Sequence, residues 1–120
     1  MLIFKICHDV EWREATLRGI YGGTDKDRRD GFLHFSTEPQ LLGTLQKWYA
    51  AATDLVLVAV DADFLGSDLK WEAARDGALF PHLYGSLPAA AAIWVAPIGR
   101  DASGRFILPT AAMHNPVMPA

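Results

Sequence analysis

A single domain that mixes β-strands with helices is what this chain predicts, and three observations carry that expectation. Short runs of β-formers recur along the chain, among them LIFKIC and DLVLVAVD; residues 41 to 49 place apolar groups at helical spacing; and 120 residues suit one hydrophobic core. The whole of 1–120 is therefore read as one domain.

Leu2 to Cys7 is short and rich in β-formers, so it reads as a strand. Asp9 can cap the helix that follows, VEWREATLRG, whose apolar groups at Val10, Ala15, Leu17 and Ile20 are expected to face the core before Gly19 and Gly22-Gly23 end it. Gly22 to Asp30 is polar, charged and glycine-rich, and is expected to form a mobile loop that could close over a site as a lid. Asp30 to Thr37 (DGFLHFST) contains a second strand. Ser36 or Thr37 can then cap a helix with Glu38 and Pro39 in its first turn and Leu41, Leu42, Leu45, Trp48 and Tyr49 at helical spacing, a helix that should pack on the sheet. Asp54 to Asp61 is a continuous run of the kind buried on both faces, and Ala91 to Ile98 (AAIWVAPI) is a second candidate. Between them Leu69-Lys70-Trp71-Glu72 reads as a short strand, with Trp71 and Phe80 expected to be buried while Glu72 and His82 face a cleft. Leu108 to Ala120, with three prolines and no charge, is expected to be an irregular tail.

Charge and cysteine content exclude several classes. A net charge of −3 gives no general basic field, and the cluster Lys26 to Arg29 is interrupted by Asp27 and flanked by Asp25 and Asp30, which argues against tight nucleic-acid binding. A small phosphorylated ligand is compatible with the same pattern. The lone Cys7 permits no internal disulfide, MLIFKICHDVEW has no basic stretch followed by a long apolar one, and Pro88 and Pro97 bracket the longest apolar candidate well short of the ~18 residues of a membrane span. A reducing, cytoplasmic protein that does not cross a membrane is expected.

Chemistry concentrates in Trp71 to Gly85 (WEAARDGALFPHLYG), which gathers Glu72, Arg75, His82 and Tyr84. His34 lies in an apolar strand, with the Ser36 hydroxyl two residues on and so on the same face. Each has a structural explanation beside the functional one. His34 can be a half-buried histidine satisfied by a carbonyl, Glu72 an ion-pair partner of Arg75, and His82 a turn residue restrained by Pro81. His34, Glu72 and His82 are also possible zinc or iron ligands, although no HExxH or paired-cysteine motif accompanies them. Cys7, in an apolar strand, is expected to pack as a small hydrophobe and not to act as a nucleophile. Gly19, Gly22 and Gly23 do not supply the GxGxxG turn of a Rossmann site.

The segments Gly31-Phe32-Leu33-His34-Phe35-Ser36-Thr37, the Glu38/Gln40 pair, the Leu55 to Asp61 strand, Leu69-Lys70-Trp71-Glu72 and Phe80-Pro81-His82-Leu83-Tyr84-Gly85 together resemble the bacterial family catalogued as domain of unknown function 952, over about Ile3 to Ile98. That family is grouped with the ADP-ribosyltransferase-like proteins. The resemblance implies an α+β fold of small, split and curved β-sheets with packed helices, and NAD or ADP-ribose as substrate or ligand. It further implies His34 and Ser36 as a ribose-binding pair, Tyr84 or Trp48 as the stacking group, and Glu72 as the carboxylate beside a developing oxocarbenium ion, where preorganised charge is effective.

The leading expectation is thus a pocket of Glu72 and His82 as catalytic groups with His34, Ser36, Trp48, Arg75 and Tyr84 binding the ligand. It would hold a phosphorylated small molecule and transfer or hydrolyse an ADP-ribosyl group, with Arg75 meeting the phosphates and no metal required. Two alternatives stand beside it: a metal-dependent hydrolase or isomerase using His34, Glu72 and His82, and a non-catalytic metabolite-binding module.

Overall fold

The computed structural model describes residues 1–74 and 76–109. In chain order the elements are β1 (Leu2–His8), α1 (Asp9–Arg18), β2 (Ile20–Tyr21), α2 (Asp25–Asp30), β3 (Leu33–His34), α3 (Leu41–Trp48), β4 (Leu55–Asp61), α4 (Ala62–Leu65), β5 (Leu69–Ala73), β6 (Leu79–Leu83), β7 (Leu87–Pro88), β8 (Trp94–Pro97), β9 (Gly99–Arg100) and β10 (Phe106–Ile107), with short 3-10 turns before α3, before β5 and after β7. This is an α+β arrangement of small antiparallel sheets. Two three-stranded sheets, ordered β1-β4-β8 and β3-β6-β5, are accompanied by the two-stranded pairs β2-β7 and β9-β10.

Strand β4 lies at the centre of the first sheet, and its first six residues are buried, which is why it is apolar without alternation. Alternation along β1 and β4 sends Phe4, Ile6, Leu55, Leu57 and Ala59 to one face, where α3 covers them with Leu41 and Leu45. Full burial of each of those two leucines is worth about 1.5–3 kcal/mol. The opposite face carries Ile3, Cys7, Val56, Val58 and Val60 against Trp12 and Ala15 of α1, and against Leu33 and Leu83 of the second sheet. Backbone bonds in both directions between Phe4 and Ser36, each 2.9 Å, join the edge of β1 to the chain just after β3. At the far end of β4, Asp54 adopts a left-handed φ of 58° and its carbonyl accepts from the Asp9 amide at 2.8 Å, which starts α1.

Four expectations need correction. Residues 25–30 are helical, not a mobile loop. Thr24 Oγ1 accepts from the Asp27 amide and Asp27 Oδ2 from the Thr24 amide, a reciprocal cap that starts α2, and Gly31 ends it with φ 88°. On α1 the core-facing residues are Trp12 and Ala15, whereas Val10, Leu17 and, just beyond the helix, Ile20 are exposed. Helix α3 starts at Leu41, and Glu38 to Gln40 form a 3-10 turn ahead of it. Trp71 is 40% exposed, because β5 is an edge strand and nothing among the described residues covers that face beyond Pro81. Of the expected C-terminal tail, Leu108 packs against the α3 side of the core and residues 110–120 lie outside the described residues. No described helix is long and apolar enough to cross a membrane.

Candidate functional site

The second sheet builds the candidate site on the face turned away from Leu33 and Leu83. Register places His34 opposite His82, Lys70 opposite His82 and Glu72 opposite Phe80. Residues directly opposite share a face, so two histidines, a carboxylate and a lysine converge there. His34 and His82 meet edge to face with ring centroids 5.4 Å apart. Phe32 fills the space between them, stacked on His82 at 4.1 Å and tilted against His34 at 4.5 Å and Tyr84 at 5.1 Å.

Glu72 is the hub of the right-hand half. Its Oε1 accepts from His82 Nδ1 at 2.8 Å and from the Tyr84 hydroxyl at 2.7 Å. Those two bonds, His82 first, hold the Glu72 carboxyl below the usual range, and the same carboxylate raises the Tyr84 phenol. Burial pushes the His82 pKa below its ordinary value, against the opposing pull of Glu72. A neutral imidazole beside an ionised carboxylate must present its N–H to it. Nδ1 therefore carries the proton, and Nε2, with no partner among the described residues, keeps a free lone pair.

The left-hand half is an ion cluster that sequence reasoning missed. Asp27, on α2, is 2% exposed and Lys5 of β1 is 3% exposed; they pair at 2.8 Å. Asp27 Oδ1 takes both His34 Nδ1 at 2.6 Å and the His34 amide at 3.0 Å, and Lys5 also donates to the His34 carbonyl at 2.9 Å. Burial disfavours the Asp27 carboxylate, but the bonds from His34 and Lys5 outweigh it and leave its pKa far below the carboxylate range. His34 Nε2 lies 3.1 Å from Asp30 and 3.3 Å from the Lys26 ammonium, which in turn sits 4.4 Å from the centroid of the Trp48 ring. The signal was present in two places. A lysine inside LIFKIC needs a buried anion, and Thr24 followed by Asp27 has capping-box spacing.

The predicted residues are thus brought together unevenly. His34, Glu72, His82 and Tyr84 share one face, and Trp48, half exposed, joins through Lys26. Ser36 does not join them: β3 stops at His34, Ser36 is 3% exposed, and its hydroxyl is bonded to Thr44 of α3 at 3.0 Å. Arg75 lies outside the described residues. The cluster is an open sheet face, and cavities of about 130 and 590 Å³ lie elsewhere, the first around Arg100 and Phe106, the second around Met1, Phe4 and Glu38. Among the described residues no group of three or more His, Cys, Asp or Glu side chains is arranged to hold a metal ion; His82 and Glu72 bond each other, and both ring nitrogens of His34 are engaged. Cys7 is fully buried, and burial pushes its thiol up to about 12, so it does not serve as a nucleophile at neutral pH.

Comparison with known proteins bears on the same segments. The family model described as "Protein of unknown function (DUF952)" matches residues 6–95, which include α2, β3, β5 and β6 in full. The chain belongs to this family. Its fold is similar to the crystal structure of protein CC0527 from Caulobacter crescentus, 43% identical, with a TM-score of 0.86 over 92% of this chain and 96% of that one. The solution NMR structure of CC0527 is also similar, 42% identical with a TM-score of 0.79, over 94% and 95% of the two chains. No curated protein matches the chain.

Proposed function

We propose that this DUF952 protein is an enzyme in which His82 acts as a general base oriented by Glu72, on a phosphorylated, nucleotide-like substrate for which NAD or ADP-ribose is the leading choice. The observation that carries the reading is the pair of hydrogen bonds that Glu72 Oε1 accepts from His82 Nδ1 and the Tyr84 hydroxyl, which fixes the ring tautomer and leaves Nε2 free for a proton. With NAD, Nε2 takes a proton from water as the water oxygen bonds the ribose anomeric carbon and the bond from that carbon to nicotinamide breaks. The products are ADP-ribose and nicotinamide; an acceptor hydroxyl in place of water makes the step a transfer. Glu72 lies beside the cationic carbon that develops, where its charge favours the transition state.

The flanking groups support an aromatic, anionic ligand. Phe32 and the half-exposed Trp48 offer ring faces for a base, and Lys26, with Arg75 two residues beyond the end of β5, supplies the charge for phosphates. His34 hydrogen-bonds a ribose through Nε2 only when the exposed Asp30 gives way.

Incubation of the purified protein with NAD, followed by chromatography for nicotinamide and ADP-ribose, tests the reading. His82→Ala and Glu72→Gln should abolish release while retaining the native melting transition. Calorimetry should find ADP-ribose bound more tightly than adenosine at matched salt, with Arg75→Lys narrowing the gap. Absence of turnover together with equal affinity for ADP-ribose and adenosine would overturn it.

A further inference from the structure

The outer edge of β5 has the sequence of a strand that pairs with itself. Its inner edge is taken by β6, and the bond parity there is fixed. Tyr84 donates to the Asp68 carbonyl and Ala74 to that of Ala78, which makes the even-numbered residues of β5 the hydrogen-bonded positions toward β6. Pro81, opposite Trp71, has no N–H, and its carbonyl is turned the other way, accepting from Phe35 at 3.0 Å. In an antiparallel ladder opposite residues exchange both bonds or neither. The amides and carbonyls of Leu69, Trp71 and Ala73 therefore point off the outer edge of the sheet, where no strand among the described residues pairs with them.

We propose that this edge is the interface between two copies of the chain, paired antiparallel about a two-fold axis through Trp71. Bond parity allows an odd residue to face an odd one, so the candidate registers set Trp71 against Leu69, Trp71 or Ala73 of the second copy. The first puts Lys70 against Lys70, and the third puts Glu72 against Glu72. Only Trp71 against Trp71 places Lys70 opposite Glu72, twice by symmetry. A lone edge lysine would guard against such pairing, but the Lys-x-Glu spacing turns the guard into a register selector. On the other face of the sheet Trp71, Ala73 and Leu79 are exposed side by side, an apolar strip that the two-fold brings against its own copy. The result is a continuous six-stranded sheet, β3-β6-β5 followed by its symmetry mate, in which each Glu72 receives the Lys70 charge of the other subunit. The pairing rests on register and charge, and does not depend on the catalytic reading.

Sedimentation velocity over a dilution series from micromolar to several hundred micromolar tests it. The native protein should dimerise. Lys70→Glu, an exposed change that sets like charges opposite at both symmetric positions, should raise the dissociation constant about tenfold or more. Trp71→Pro, which removes an outward N–H and no bond to β6, should leave a monomer with a native circular dichroism spectrum. Lys70→Glu combined with Glu72→Lys should restore the dimer. A native protein that is monomeric throughout, a dimer indifferent to both single changes, or a charge-swapped pair as weak as Lys70→Glu would each overturn the proposal. Loss of turnover in a dimeric protein would bear on the catalytic reading alone.

Discussion

Asp27→Asn should be among the most damaging conservative substitutions in this chain, and the geometry says why. Each carboxylate oxygen faces two donors: Oδ1 takes His34 Nδ1 and the His34 amide, while Oδ2 takes the Lys5 ammonium and the Thr24 amide. Whichever oxygen becomes an NH₂ group, two donors meet a donor, and the Lys5 charge stays buried without its counter-ion. Orphaned buried donors cost about 1–3 kcal/mol each, and breaking a buried ion pair about 3–5 kcal/mol in all. For a chain of this size that is a fall in melting temperature of roughly 10–25 °C. The folded state holds Asp27 ionised with a depressed pKa. Its contribution is therefore complete above the ordinary carboxylate pKa of about 4 and drains away as pH falls below it. Melts from pH 7 to pH 3 should show a steep acid limb in the native protein and a flatter one in Asp27→Asn. Adding Lys5→Met should recover part of the loss at pH 7. A variant melting within about 1 kcal/mol of the native protein, or no recovery from Lys5→Met, would refute the claim that this pair is buried and mutually dependent.

Other predictions use different observables. The imidazole NMR titration of His82 should give a pKa below the ordinary value of about 6.5, because burial disfavours its cation. Glu72→Gln should move it lower still, since the carboxylate opposes that shift. An upward move would mean the Glu72 contact is absent in solution. Leu83→Ala should cost about 2–5 kcal/mol, the range for a buried leucine, whereas Trp71→Ala should cost the monomer far less because the ring is 40% exposed; chemical denaturation well below the dimer dissociation constant separates the two. Cys7 should react with a maleimide only as fast as the protein unfolds, because its sulfur is fully buried and its thiol is raised to about 12; rapid labelling under native conditions would contradict that placement.

What the sequence made legible follows from how local each signal is. DLVLVAVD announced a central strand because burial on both faces leaves no room for alternation, and β4 occupies that position. The meeting of His34, His82 and Glu72 could be anticipated because each was a polar residue that strand packing did not require. Trp71 was misjudged because alternation puts it on the face away from Glu72 but does not say whether that face is covered; coverage is decided by strand order, which the segment does not encode. The charges of 25–30 looked like those of a solvated loop, and four of the six are indeed exposed. Arg28 and Asp25 pair in the open, while Asp27, between them in the same short helix, is among the most buried of the described groups. Its partner Lys5 is 22 residues upstream, and nothing in either segment names the other. Ser36 was placed beside His34 by counting two residues along a strand that ends before reaching it.

The paired Phe4–Ser36 bonds bear on how this molecule opens. Small sheets joined only by side-chain packing tend to unfold as separate units, each with its own opening free energy. Here the edge of β1 is stitched to the chain just beyond the strand that carries His34, so amides on both sides of the seam belong to one cooperative unit. Hydrogen exchange at Phe4, Ser36 and the centre of β4 should follow a single free energy equal to that of global unfolding. Among the described residues the β5–β6 hairpin has no comparable seam on its outer edge, and it should exchange through smaller, faster openings, which a second copy seated on that edge would slow as protein concentration rises.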